Sequence, residues 1–235
     1  MQAARPPRAS SGAIRPVRSY VLRQGRVTRA QARALATLYP RYGVPFRDAL
    51  LEWRELFGRI APVYLEIGSG MGETIAALAA ANPDHDYLAV EVHGPGVGSL
   101  LARIAARALT NLRVIRHDAV DVLERMVPPA SLAGIYVFFP DPWPKKRHHK
   151  RRLVNARFAA LAASRLAPGA VLHLATDWPP YAQAMLAVLG GEPRLENTAL
   201  GYAPRPPWRP ETRFERRGVA LGHEVRDLVF RRRQE

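Results

Sequence analysis

One acid in this chain is held between prolines at the end of an apolar run: Ile135-Tyr136-Val137-Phe138-Phe139-Pro140-Asp141-Pro142-Trp143-Pro144. Proline fixes its own φ, restricts the residue before it and removes an amide donor, so the Asp141 carboxylate is held in place rather than turned back on its loop. Such a carboxylate can stabilise positive charge growing on a reacting partner, and Trp143 can stack on a planar ring. The ordinary alternative is a rigid turn with a packed Trp. Directly after it comes Lys145-Lys146-Arg147-His148-His149-Lys150-Arg151-Arg152, six formal positive charges in eight residues. A solvated helix face spaces its charges with apolar positions, and this run does not. Point charges and guanidinium forks at this density suit phosphates. Nuclear localisation and an anionic membrane patch are other uses of such a run. Its place beside a candidate reaction loop favours a nucleic-acid backbone. Adjacent histidines diverge and no third ligand is near, so His148 and His149 do not predict a metal site.

A second group of residues can hold a small molecule. The turn Glu66-Ile67-Gly68-Ser69-Gly70-Met71-Gly72-Glu73 follows an apolar run, and its close glycines let a ligand approach the backbone. Glu73 stands where a dinucleotide fingerprint needs its third glycine, and Glu66 sits badly beside a pyrophosphate, which disfavours NAD. An acid there suits a cationic ligand instead, such as the sulfonium and ammonium of S-adenosylmethionine. Glu91 closes the next apolar run and can accept both hydroxyls of a ribose; Asp118, after the third run, can meet an adenine amino group. Each acid alone reads as a helix cap or a solvated turn. In order, with the glycine turn, these three acids favour a nucleoside cofactor bound at Glu66, Gly68, Gly70, Glu91 and Asp118. Asp177, in Ala175-Thr176-Asp177-Trp178, and Glu215, in Thr212-Arg213-Phe214-Glu215, can accept from a base edge such as guanine N1 and its amine. Their ordinary roles are a helix cap for Asp177, with Trp178 in the core, and an arginine partner for Glu215.

These residues must be positioned by a framework, and the hydrophobic pattern supplies one. Strands are predicted at Val63–Ile67, Tyr87–Val92, Leu112–Arg116, Gly134–Phe139 and Ala170–Ala175, with helices near 72–81, 97–109, 119–126, 151–166 and 179–189. Short apolar strands alternating with helices give a parallel sheet covered on both faces. Pro83, Pro128, Pro129 and Pro168 punctuate the helix ends. Two further strands, Leu195–Leu200 and His223–Phe230, are joined by a loop rich in Pro, Arg and aromatics.

Composition narrows the partner. Thirty-five Lys and Arg face 20 Asp and Glu, a formal charge of +15. Such an excess answers an anionic partner, although a high-GC coding bias towards Arg contributes. Residues 1–47 hold ten Arg and no acid. They are expected to form a basic, partly disordered arm, with a helix near residues 29–38, ahead of a catalytic domain over 48–235. Arg-rich, acid-poor composition also describes a transit peptide. There is no cysteine, which excludes disulfides and thiolate chemistry, and no apolar run long enough for a membrane span or a secretory signal.

EIGSGMGE, VEVHGPGVG, FPDPWPKKRHHKRR, ATDW and TRFE, in this order, resemble the bacterial tRNA (guanine-N7-)-methyltransferase family. The stretch IRPVRSYVLRQGRVTRAQ is similar to that family's N-terminal arm, so the resemblance covers roughly residues 14–232. The Pro-Asp-Pro-Trp-Pro-Lys-Lys-Arg-His run is specific to it; the glycine turn is shared by most methyltransferases of the fold. The resemblance implies an α/β, Rossmann-like class I methyltransferase: a seven-stranded, mostly parallel sheet with an antiparallel last strand and helices on both faces. It implies S-adenosylmethionine as donor, tRNA as partner, and the guanine at position 46 of the variable loop as acceptor. Carried onto this sequence, Glu66, Glu91, Asp118 and Asp141 match the cofactor acids, with Asp141 also catalytic. Lys145, Asp177, Thr212, Arg213, Phe214 and Glu215 match substrate-binding positions, and Arg147, His148, His149, Lys150, Arg151 and Arg152 the RNA-contacting stretch. A cytoplasmic enzyme without metal or membrane is expected, as monomer or homodimer. Residues 1–13 have no counterpart in the family pattern.

Overall fold

Period-two alternation inside each apolar run sends side chains to both faces of one seven-stranded sheet. The computed structural model describes residues 18–20, 27–220, 222 and 224–234. The expected disorder of the first dozen residues lies outside these, as does about half of the basic arm. The strands are β1 (Val63–Ile67), β2 (Asp86–Val90), β3 (Leu112–Ile115), β4 (Leu132–Phe138), β5 (Leu166–Thr176), β6 (Leu195–Asn197) and β7 (Arg226–Arg232). Their order is β3-β2-β1-β4-β5-β7-β6. β1 to β5 pair in parallel, and β7 runs antiparallel to both β5 and β6. The helices are α1 (Arg29–Tyr42), α2 (Trp53–Phe57), α3 (Glu73–Ala81), α4 (Gly94–Ala106), α5 (Ala119–Arg125), α6 (Ala156–Arg165), α7 (Pro179–Gly190) and α8 (Arg213–Ala220).

Leu65, Leu88, Ile135 and Leu172 pack on one sheet face with residues of α5, α6 and α7. Tyr87, Ala89, Tyr136 and Phe138 pack on the other with α1, α3 and α4. Both faces are therefore covered, as the near-continuous apolar strands require. The strand order reverses between β1 and β4, which leaves a crevice beyond their carboxyl ends.

Two expectations change, and the described end of the arm packs against the rest of the chain. α1 lies along α4, Gln31 donates to Ser99 Oγ at 3.1 Å, and Tyr42 and Val44 are buried. The helix expected over 151–166 begins only at Ala156, capped by Asn155. Like charges four apart oppose a long helix, and Lys146–Arg151 form a 3-10 turn instead. The loop expected before β7 contains α8, because Thr212 and Glu215 form a capping box: the Glu215 amide donates to Thr212 Oγ1 at 2.9 Å, and the Thr212 amide to Glu215 Oε2 at 3.3 Å.

Candidate active site

The β1 turn places its glycines in the left-handed region, at φ 74 for Gly68 and 54 for Gly70. A Cβ on either would meet nothing within 4 Å, so the conformation, not crowding, demands glycine and leaves open space above the turn. Two adjoining cavities share Gly68, Phe138 and Phe139. One, of about 300 Å³, is lined by Glu91, His93, His117, Asp118 and Asp141, with Ser19 and Tyr20 of the arm across it. The other, of about 390 Å³, is lined by Glu66, Gly70, Glu73, Arg103 and Thr212.

Three of the acids expected to hold a cofactor have distinct environments. Glu66 is 3% exposed, and its Oε2 has no hydrogen-bond partner. Burial, reinforced by the neighbouring Glu91, pushes its carboxyl up to about 8. A buried, unpartnered carboxylate is costly unless a cation arrives, so the site fits a cationic ligand. Glu91 is fixed by two amides, Gly70 N–H to Oε2 and His93 N–H to Oε1, both at 2.8 Å. It ties the β1 turn to the end of β2 and presents its remaining lone pairs in one orientation. Asp118 caps α5, accepting from the Val120 amide at 2.9 Å, and lines the cavity as well. The cap and the ligand-facing position are compatible, because one oxygen serves the cap.

Beyond β4 the chain is strained on both sides of Asp141: Phe139 has φ 52 and Trp143 φ 46, unusual for residues with a Cβ. The Phe139 amide donates to Ala175 O at 2.8 Å. Trp143 Nε1 donates to Ser19 O at 3.2 Å, and the Arg151 guanidinium lies 5.1 Å from its ring centroid. Trp143 therefore pins the loop to the arm and the 3-10 turn, and one face of its ring is taken. Asp141 is exposed at the mouth of the crevice so formed.

A protein-family profile described as a putative methyltransferase matches residues 60–228. A tRNA (guanine-N(7)-)-methyltransferase of Nitrosospira multiformis is 60% identical over 220 residues, 94% of this chain and 96% of the relative. Those of Aromatoleum aromaticum and Thiobacillus denitrificans are 62% and 60% identical, covering 93% and 96% of this chain and 85% and 99% of theirs. The chain belongs to the tRNA (guanine-N(7)-)-methyltransferase family. Solved structures share the fold at low identity. A 16S rRNA methyltransferase, KamB, matches at TM-score 0.59 and 18% identity over 80% of this chain and 100% of its own. A 16S rRNA (adenine(1408)-N(1))-methyltransferase mutant with cosubstrate SAM, from Catenulisporales acidiphilia, matches at TM-score 0.54 and 16% identity over 77% and 90%.

In this methyltransferase two of the expected binding residues are placed otherwise. Arg152 is buried; its Nε donates to Pro142 O at 2.9 Å, and its guanidinium lies 4.7 Å from the Tyr181 ring centroid. It supports the Asp141 loop and is mostly withdrawn from solvent, because the turn ends at Arg151 and the chain then enters the core. Glu215 is also buried: the Arg209 guanidinium forks onto it, Nη1 to Oε2 at 2.6 Å and Nη2 to Oε1 at 2.7 Å. Both its oxygens serve this internal pair and not a base edge. Thr212, between Arg209 and Glu215 in the chain, reaches the Glu66 cavity.

The remaining positions stay at the carboxyl edge. Lys145, Lys146, Arg147, His149 and Lys150 are exposed, with His148 and Arg151 half-buried. His148 meets Trp143 edge-on at 5.8 Å. Asp177 is half-buried at the end of β5, and Trp178 is 36% exposed, outside the core. Arg213 stands in the first turn of α8, followed by Phe214. Among the described residues no group of three His, Cys, Asp or Glu can hold a metal, and no helix is long and apolar enough to cross a membrane. Sequence reasoning missed Arg103, Arg209, His93 and Tyr20. Arginines are too frequent in this chain for any one of them to stand out, although the acid of Arg226-Asp227-Leu228 inside an apolar strand signals a buried partner.

Proposed function

We propose that the enzyme transfers the methyl group of S-adenosylmethionine to N7 of a guanine in tRNA, at position 46 of the variable loop. The observation that carries the reading is the unpartnered, buried Glu66 oxygen in a cavity that adjoins the Asp141 crevice, with the basic turn just outside. The names of the relatives support tRNA and guanine N7. When bound, the donor supplies a methyl group on a positively charged sulfur. Guanine N7 offers an in-plane lone pair and no proton, so in-line attack needs no general base. Asp141 then acts by position and charge, favouring the positive character that builds on the purine. Glu66 meets the cationic end of the donor, Glu91 its ribose and Asp118 its adenine. In a paired A-form helix N7 lies in a groove that side chains cannot read, so the target guanine must lie in a loop or be released from a tertiary contact.

The deciding experiment is methyl transfer from labelled S-adenosylmethionine to unmodified tRNA, mapped by N7-methylguanine-specific chain cleavage. One cleavage in the variable loop is expected; transfer elsewhere overturns the site, and no transfer overturns the activity. Asp141→Ala is expected to lower turnover by about 100-fold or more with tRNA affinity little changed. A parallel loss of both would remove the division between loop and basic turn.

Neutralising Lys146, Arg147 and Lys150 is expected to weaken tRNA binding and to flatten its salt dependence by about 0.7–0.9 in log–log slope for each phosphate that is no longer neutralised. Arg151 is left in place because it packs on Trp143. An unchanged slope in a filter-binding series would show that this turn does not meet the phosphates.

A further inference from the structure

The Glu66 cavity carries both signs of charge. Glu66 and Glu73 line it, and Arg103, reaching in from α4, is the one Lys or Arg among the described residues that lines either cavity. Arg103 is tied to the glycine turn: Nε donates to Met71 O at 3.1 Å and Nη2 to Glu73 Oε1 at 3.0 Å. Its Nη1 has no protein partner among the described residues, and its side chain is 35% exposed. The start of α3 adds to the positive side. Its N-cap is Gly72, which brings no side-chain acceptor; the Ile75 amide turns to Glu66, while those of Glu73 and Thr74, which line the same cavity, have no side-chain cap. Glu66, whose Oε2 is buried and unpartnered, lines the same cavity.

A cavity lined by a buried carboxyl with an unpartnered oxygen, by a guanidinium and by uncapped helix amides matches a zwitterion. A nucleoside needs neither group. An α-amino acid moiety needs both, its ammonium towards the acid and its carboxylate towards the arginine. We infer that Arg103, together with the N-terminus of α3, binds the α-carboxylate of the donor's methionine moiety. This rests on the S-adenosylmethionine reading above and adds to it the residue that distinguishes the intact donor from one lacking the carboxylate. Glu73 holds the guanidinium in place and competes mildly with the ligand for it, so Arg103→Lys, which keeps the charge but not the fork, is expected to retain only part of the effect.

The test is a cycle in protein and ligand, read by calorimetric binding. The wild-type chain and Arg103→Gln are each titrated with S-adenosylmethionine and with decarboxylated S-adenosylmethionine. Wild type is expected to bind the intact ligand about tenfold more tightly than the decarboxylated one, the size of one charge-assisted hydrogen bond. Arg103→Gln is expected to lose that preference: about tenfold weaker for the intact ligand, unchanged within about twofold for the decarboxylated one. Equal weakening for both ligands, or no weakening for either, overturns the assignment, as does a loss confined to tRNA affinity. If wild type binds neither ligand, the donor reading itself fails and the subsite falls with it.

Discussion

Glu66→Gln is expected to raise the melting temperature of the ligand-free protein while abolishing donor binding. The folded-state pKa of Glu66 is raised to about 8 by burial, with Glu91 adding to it. In the unfolded chain the group titrates near its ordinary value of 4.5. Between those values the folded protein must hold a proton that the unfolded chain gives up. Stability therefore falls as pH rises from about 4.5 to about 8 and is level above that. At neutral pH the cost is roughly 3 kcal/mol, which glutamine, neutral at every pH, does not incur. For a chain of this size that corresponds to a rise of roughly 5–10 °C, shrinking towards zero as the pH approaches 4.5. The same substitution removes the carboxyl that must ionise to meet the donor's cation, so titration calorimetry should show no donor binding. Binding to the wild type should release a proton near neutral pH, seen as a heat that varies with the ionisation enthalpy of the buffer, and should tighten as pH rises towards 8. A lower melting temperature for the variant at pH 7.5 would mean that Glu66 is ionised and paired in the free protein, not a carboxyl waiting for a cation.

The second large effect is expected at Arg209. Its side chain is fully buried, forked on Glu215, with Nη2 on Asp227 Oδ2 at 3.1 Å and Nε 2.8 Å from Asp227 Oδ1. His173 Nε2 lies 2.7 Å from Asp227 Oδ1, and burial lowers the His173 pKa. One guanidinium thus compensates two buried carboxylates, on α8 and β7. Arg209→Met leaves both unpaired, and breaking such a network from one side costs about 3–5 kcal/mol. Denaturant unfolding at neutral pH checks the size of the loss. Arg209→Met with Glu215→Gln should recover part of the loss, since one stranded charge is gone. Lysine should rescue little, having no planar fork. Amide exchange should quicken first in α8, which Glu215 fastens to the sheet. A deficit under about 1 kcal/mol would place the carboxylates in water rather than in the core.

Glu66 and Arg209 also differ in how far local sequence announces their positions. The place of Glu66 near the end of β1, beside the cavity, is legible because a glycine turn after an apolar strand fixes the backbone locally. The same holds for Asp141, whose flanking prolines act within a few residues. Arg152 and Glu215 were misjudged for one reason: each belongs to a motif whose other members are exposed, while its own side chain turns inward. Arg152 ends a run of charged or basic positions with no apolar residue to announce the change. Its partners, Pro142 O and the Tyr181 ring, are 10 and 29 positions away. The helix α8 was available to inspection as the Thr212-x-x-Glu215 capping box, but the surrounding Pro and Arg masked it.

By itself, the sequence determined the strands and helices of the parallel half, the glycine turn, the order of acids along one sheet edge and the basic segment after Asp141. These depend on period, spacing and local stereochemistry, which act over a few residues. The family follows from the same motifs. Only the tertiary structure decided that Glu66 lacks a partner, that Glu91 is held by two amides from different elements, that Arg103 enters the Glu66 cavity from α4, and that Arg209 neutralises Glu215 and Asp227. Each of these depends on which side chains are excluded from water together. That is set by the crossing of distant segments over the sheet, and no local pattern encodes it.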